Sequence, residues 1–424
     1  MIPPRVLPAR PRNDAYAALR IPDYRRFLAM RLFTTLAIQI MSVSISYFVY
    51  DLTGDPFMLG LIGLTEALPS IAVSLWAGHL ADKHNRRNIL VACLGLMVLC
   101  TSALVVLTWQ RDVLPKNVLL GGIYTAIFIT GVARGFFSPT NFAFLPQLVD
   151  KKTLPNAISW NSSTWEMASL SGLGIGGLLY GFAGVTWACA TMAALTVLAL
   201  LMVLRIASRP APPADHTVPA LVRIREGLHF VFGSQLILGA IALDLFAMLF
   251  GGAVALLPVY AKDILHVGPE GLGILRAAMS FGAIIMGLYL AHRPLRRHAG
   301  RVMLTCVAGF GICIIGFGLS EWFWLSFLFL FLSGILDEVS VFVRANLVQH
   351  LTPDRLKGRV SSVNSIFIVS SNELGAFESG VAAKLFGTVP AVVLGGVLAL
   401  GVVGFTWWKA PELRRFHFDD GQEE

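Results

Sequence analysis

The sequence predicts an all-α membrane protein in which twelve transmembrane helices form two pseudo-symmetric six-helix bundles. Three observations carry this expectation. Of the 424 residues, 56% are hydrophobic and only 14% charged, with a mean hydropathy of +0.71; a water-soluble globule of this length needs more polar surface. Apolar stretches of roughly 20 residues, the length that crosses a bilayer, recur along the whole chain. Lysine and arginine gather in alternate connections between those stretches, the pattern that the positive-inside effect gives an even number of spans.

In chain order, residues 1–26 form an N-terminal segment, Pro- and Arg-rich and without the apolar core of a cleavable signal peptide. Spans centred in 27–49, 57–79, 88–108, 118–140, 157–180 and 184–206 make a first bundle over 27–206. The connection after the second span is the most charged point of the chain, Gly78-His79-Leu80-Ala81-Asp82-Lys83-His84-Asn85-Arg86-Arg87. Residues 207–234 link the halves: Ser208-Arg209-Pro210-Ala211-Pro212-Pro213 stays extended, and Val222 to Phe230 reads as an amphipathic surface helix. Spans in 236–259, 271–292, 302–320, 323–345, 361–384 and 389–408 make a second bundle over 235–409, and 410–424 is a C-terminal tail.

The basic connections carry Lys83, Arg86 and Arg87; Lys151 and Lys152; Arg205, Arg209, Arg223 and Arg225; Arg293, Arg296, Arg297 and Arg301; and Arg355, Lys357 and Arg359. The intervening ones carry only Arg111, Lys116, Lys262 and Lys384. Both termini are therefore expected in the cytoplasm. The net charge of +8 then reports topology, and no nucleic-acid partner is expected. Cys93, Cys100, Cys189, Cys306 and Cys313 all fall in apolar runs, which favours burial over a disulfide framework or a metal site. Gln147, Asn161 and Gly172 recur as Gln349, Asn364 and Gly375 at offsets of 202 or 203 residues, a weak sign of a duplicated unit.

The loop built on Gly78, Leu80, Ala81, Asp82, Lys83, Asn85, Arg86 and Arg87 resembles the signature G-x-L-A-D-R-x-G-R-R of the Major Facilitator Superfamily, with Asn85 in place of glycine. Pro353-Asp354-Arg355-Leu356-Lys357-Gly358-Arg359-Val360 is similar to the family's P-D-x-x-R-G-R-V. With Ser371-Asn372-Glu373-Leu374-Gly375-Ala376-Phe377-Glu378-Ser379-Gly380, the chain looks closest to the enterobactin-exporter-like and macrolide-efflux-like branch, the drug:proton antiporter-3 type. The resemblance implies the Major Facilitator fold, a bacterial inner membrane and a monomer. It also implies a cytoplasmic gate of Gly78, Asp82, Arg86, Arg87 and Arg359, in which Asp82 latches onto the amino end of the eleventh span. Such a latch would stabilise the outward-facing state by about 1–2 kcal/mol. The glycines of span five, Gly172, Gly174, Gly176, Gly177 and Gly181, overlap the family's antiporter motif, but Leu173 stands where proline is usual. Tight packing accounts for them equally well.

Charges inside hydrocarbon by default face a cavity or a partner. The sequence supplies Glu66, Arg134, Glu166, Asp244, Asp337, Glu338, Arg344, Glu373 and Glu378. In the family that the chain resembles, spans one, four, seven and ten line the path and two, five, eight and eleven flank it, so Arg134, Asp244, Asp337 and Arg344 fall on lining helices; Arg134, Asp244 and Arg344, with Glu166, Phe137 and Asn364, are the candidates for the substrate cavity. Arg134 is a candidate partner of Asp337 or Glu338, and Glu66 reads as the more isolated acid. Glu66, Glu373, Asp337 and Glu338 are the candidates for proton coupling; a fixed ion pair is the alternative for each. Phe136, Phe142, Phe144 and Trp165 are further lining candidates, whereas Trp109, Trp187, Trp322, Trp324, Trp407 and Trp408 stand near span ends as interfacial anchors.

No ATP-binding loop, protease motif or metal cluster is evident, so no enzyme and no cofactor is expected, and the proton gradient is the expected energy source. The expected activity is export of a small amphiphilic molecule, a siderophore, macrolide or other drug-like compound, by alternating access with proton antiport. The partners are then substrate, protons and the lipid bilayer. An importer or lysophospholipid-type flippase of the same fold is the alternative, followed by a non-transporting receptor.

Overall fold

The computed structural model describes residues 16–209, 220–293, 295, 298–353 and 356–417, and among these the regular structure is helical throughout. The first half holds α1 (Pro22–Thr53), α2 (Pro56–Lys83), α3 (Arg86–Trp109), α4 (Lys116–Leu148), α5 (Leu154–Ala183) and α6 (Val185–Leu204). A surface helix, α7 (Ala220–Gly233), precedes the second half. There α8 (Gln235–Phe250) breaks at Gly251 and Gly252 and continues as a 3₁₀ turn, the short α9 (Leu257–Val259) and a π turn over Tyr260–Ile264. Then follow α10 (Gly268–His292), α11 (Ala299–Leu319), α12 (Phe323–Leu351), α13 (Lys357–Phe386), α14 (Thr388–Lys409) and a final short α15 (Pro411–Arg415).

Nine of the twelve expected spans fall inside single helices; 184–206 and 302–320 overrun α6 and α11 by one or two residues, and 236–259 is interrupted at Gly251 and Gly252. Among the described residues, ten segments are both long and apolar enough to cross a membrane; α5 and α13, of 30 residues each, match them in length and carry more polar residues. Several helices overrun the apolar windows because hydropathy marks only what hydrocarbon covers, whereas local backbone chemistry ends a helix. Gly54 closes α1 at φ 64°; Asp55 then caps α2 by accepting from the Phe57 amide at 3.0 Å, with Pro56 in the first turn. The corner between α5 and α6 turns on Gly184 at φ 83°, and that between α13 and α14 on Gly387 at φ 90°. These two glycines stand one repeat apart, so the duplication extends to the turns.

Buried apolar residues show how the halves meet. We call the end of the bundle that carries residue 22 and residue 409 the basic end, and the opposite one the far end. At the basic end each half has its own core: Phe27, Leu90, Leu94 and Phe144 in the first, Leu243, Met303, Leu347 and Leu413 in the second. At the far end one cluster runs across both, joining Val43, Tyr47, Leu59 and Leu173 to Leu257, Leu272, Phe317 and Leu330. The two halves are thus fused by apolar packing at the far end.

Two symmetric seams make that fusion. Along α2 and α13, a Cβ on Gly380 would lie 2.8 Å from the Gly60 Cα; along α5 and α10, a Cβ on Gly177 would lie 2.6 Å from the Gly273 Cα. Only glycine permits backbones this close. Gly177→Ala is accordingly expected to lower stability by about 1–3 kcal/mol through overpacking, whereas Gly174→Ala, on the same helix with nothing within 4 Å of its Cβ position, should be neutral or slightly stabilising. Thermal unfolding of the two variants in detergent checks the contrast.

Candidate functional site

Just outside the seams, ionic contacts clamp the far end. Lys262 Nζ lies 2.5 Å from Asp51 Oδ1 and 5.8 Å from the Tyr50 ring centroid, and the Tyr50 hydroxyl donates to the Asp263 carboxylate. Lys384 Nζ lies 2.8 Å from Asp55 Oδ2 and 4.9 Å from the Phe57 ring centroid. Each contact joins one half to the other. Lys262 and Asp263 both sit in the π turn, where an extra residue in the helical turn redirects side chains.

Deeper in the bundle, α2, α4 and α13 bring three charges together. Arg134 on α4 forms an ion pair with Glu66 on α2, and Glu373 from α13 of the second half lies in electrostatic range of the same guanidinium. Glu373 Oε2 is also 3.2 Å from where a Cβ on Gly63 would stand, directly against α2. One cation therefore faces two carboxylates, one from each half. A second group lies within the second half: Arg344 Nη2 is 3.4 Å from Asp244 Oδ2, with side chains 5% and 8% exposed. Its Nη1 donates to Asn364 Oδ1 at 3.0 Å, and Asp337 is close enough to interact with both Asp244 and Arg344. Glu338 faces Glu166 across the halves.

These positions correct two expectations. Arg134 pairs with Glu66 rather than with Asp337 or Glu338, and Glu66 is therefore not isolated. The reason is topological: α2 and α4 pack side by side, with a Cβ on Gly135 only 2.7 Å from the Ser70 carbonyl, whereas Asp337 is drawn to the arginine of its own helix. Phe137, 4% exposed, is packed in the basic-end core of the first half together with Phe144, while Phe142 points outward. The six terminal tryptophans are all exposed, as anchors at a membrane interface would be.

At the basic end, Arg86 Nη1 donates to the Ala143 carbonyl at 2.8 Å and Arg87 Nη2 to the Leu204 carbonyl at 2.7 Å. Arg87 thus caps the C-terminal end of α6, and Arg86 braces the last part of α4, both in their own half. The Gly78, Asp82 and Arg359 expectations rest on side-chain surroundings that lie outside what the structure describes.

Two intramembrane arginines were not among the candidates drawn from the sequence. Arg276 on α10 is 9% exposed and reaches across to α1, donating to Ser42 Oγ at 2.7 Å and Ser46 Oγ at 3.4 Å. Arg31 on α1 likewise has a buried Nε without a hydrogen-bond partner. Both stand inside apolar windows, 271–292 and 27–49, and a uniform count of intramembrane charges finds them.

The clamp has a pH dependence with a definite sign. Partial burial pushes the Asp55 carboxyl up, but the Lys384 ammonium and the Phe57 amide outweigh this and hold it below its ordinary value. A lowered value means that the Asp55–Lys384 contact contributes at neutral pH and is lost as acidification protonates Asp55, below the usual carboxylate range. Lys384→Ala should therefore weaken far-end closure by up to about 1 kcal/mol at pH 7, as exposed pairs do, and by nothing measurable near pH 3. Electron–electron distances between spin labels at the exposed residues Val113 and Trp322, measured at the two pH values, read the difference.

Comparison with known proteins shows what this arrangement belongs to. Residues 13–419 match the family model described as transmembrane secretion effector. The enterobactin exporter EntS of Shigella boydii serotype 4 (strain Sb227) is 28% identical over 407 residues, 93% of each chain, and that of Escherichia coli O81 (strain ED1a) is equally similar over the same share. Among solved structures, the chain shares its fold with a bacterial homologue of the human lysosomal transporter Spinster, inward-facing and occupied, at a TM-score of 0.72 and 12% identity, covering 93% of this chain and 97% of that one. A D-xylose–proton symporter gives 0.69 and 13% over 95% and 100%. The chain belongs to the transmembrane secretion effector family of the Major Facilitator Superfamily, a family of efflux transporters.

Proposed function

We propose that this protein exports a small amphiphilic molecule, of the siderophore or drug-like kind, in exchange for protons, by alternating access. The observation that carries the reading is the shared arginine: Glu66 and Glu373, from opposite halves, compete for Arg134. One guanidinium offsets one carboxylate, so the second acid needs another counter-charge, and a proton is the smallest one. When the halves rock apart, Glu373 leaves Arg134 and its surroundings change. An acid whose counter-charge depends on the conformation exchanges its proton as the conformations interchange, which ties proton movement to the transport cycle.

The charge of the basic connections supports a cytoplasmic basic end. On that orientation the structure is closed to the outside and stands ready to load from within, as an exporter does before release. The similarity to enterobactin exporters supports a siderophore-like substrate.

Purified protein in proteoliposomes enclosing a pH-sensitive dye is the test, with siderophores, macrolides and lipophilic cations offered in turn. A transported compound should trigger proton movement in the wild type. In Glu66→Gln and Glu373→Gln that movement should fall at least ten-fold while the protein still folds. Efflux that continues unchanged in a fully uncoupled membrane would contradict antiport.

A further inference from the structure

We propose that Arg276, held by Ser42 and Ser46, is an anion subsite that takes an oxyanion of the transported molecule, a carboxylate, sulfonate or phosphate, and that occupying it releases α1 from α10. The subsite deepens the export reading and rests on it. Arg276 is buried within the membrane span, and among the described residues no carboxylate pairs with it. Its polar contacts are two neutral hydroxyls, and its Nε has no partner. Of the other intramembrane arginines, Arg134 and Arg344 each have an acid, whereas Arg31 also has a buried Nε without a partner.

A guanidinium in hydrocarbon with hydroxyls alone keeps most of its desolvation cost. The ligand that removes that cost is an anion, and a planar oxyanion can take two parallel hydrogen bonds from the fork of donors. The place fits a substrate group. Ser46 lies five residues before Asp51 on α1, roughly 7 Å inside the clamp, so Arg276 is at the inner face of the closed end. Arg31 stands about three helical turns from Ser42 on the same side of α1, a second cation on the way from the basic end.

The hydroxyl bonds are also cross-links. Ser42 and Ser46 belong to the first half and Arg276 to the second, so these two bonds help hold the far end shut. An anion that draws the guanidinium away from both serines exchanges a contact between halves for a contact with cargo. Loading then loosens closure, and cargo lacking an acid does not.

The test uses the purified full-length protein in detergent, a matched pair of probes, 1-naphthoate and its neutral amide 1-naphthamide, and the concentration dependence of Tm. The wild type should bind the acid at least ten-fold more tightly than the amide. Arg276→Gln should abolish the preference and Arg276→Lys retain part of it. Ser42→Ala combined with Ser46→Ala should tighten the acid several-fold, because the anion no longer competes with hydroxyls. This last variant keeps the buried cation and carries the test if Arg276→Gln does not fold. Equal or absent stabilisation of the wild type by the two probes, a preference that survives Arg276→Gln, or an acid bound no tighter by the serine variant overturns the subsite. Acid preference in a protein that moves no compound in proteoliposomes would instead overturn the export reading and leave the anion site standing.

Discussion

A charge placed in hydrocarbon must find a partner, and in this protein several of those partners lie on the other half of the molecule. Arg134 holds Glu66 from its own half and faces Glu373 from the other; Arg276 crosses to two serines of α1. The energetic consequence is that the buried charges of one half are not all satisfied within that half. Moving the halves apart changes the electrostatic surroundings of specific side chains.

The same economy governs the packing. At the basic end each half closes on its own apolar core, so separation there exposes little. At the far end one core spans both halves and two glycine seams bring helix backbones into contact. Between interchanging states, apolar packing supplies the bulk of the closing force, and the exposed ion pairs of the clamp add small, screened increments. Small-residue seams can separate and re-form without repacking large side chains, which suits a joint that must move. The seams occupy equivalent places in the two halves, as do Gly172 against α1 and Gly375 against α8, so the duplication is expressed in contacts as well as in sequence.

The spans and the linker helix were legible because hydropathy and charge placement act locally along the chain. Gly172 and Gly375 were legible as repeat partners, and Asn364 with them, although only the structure reveals that Asn364 receives Arg344. What could not be read was pairing. Nothing in the sequence says that α2 lies beside α4, so from sequence alone Glu66 reads as isolated and Arg134 as a partner of Asp337 or Glu338. The side on which an aromatic residue falls is set by tertiary packing, which is why Phe137 lies in a core and Phe142 points outward. Arg31 and Arg276 were legible in principle; each is one charge in an apolar window.

The central claim is that the two halves exchange between a far-end-closed and a far-end-open arrangement under the control of buried charge. Spin labels at Val113 and Trp322, exposed residues of the far-end connections in opposite halves, would report it through electron–electron distance measurement in nanodiscs. The account predicts two discrete distances, the shorter being that of the present structure, with a ratio that shifts on mild acidification, above the range in which Asp55 titrates, in the wild type and does not shift there when Glu373 is replaced by glutamine. A single distance, unchanged by pH in both proteins, would contradict it.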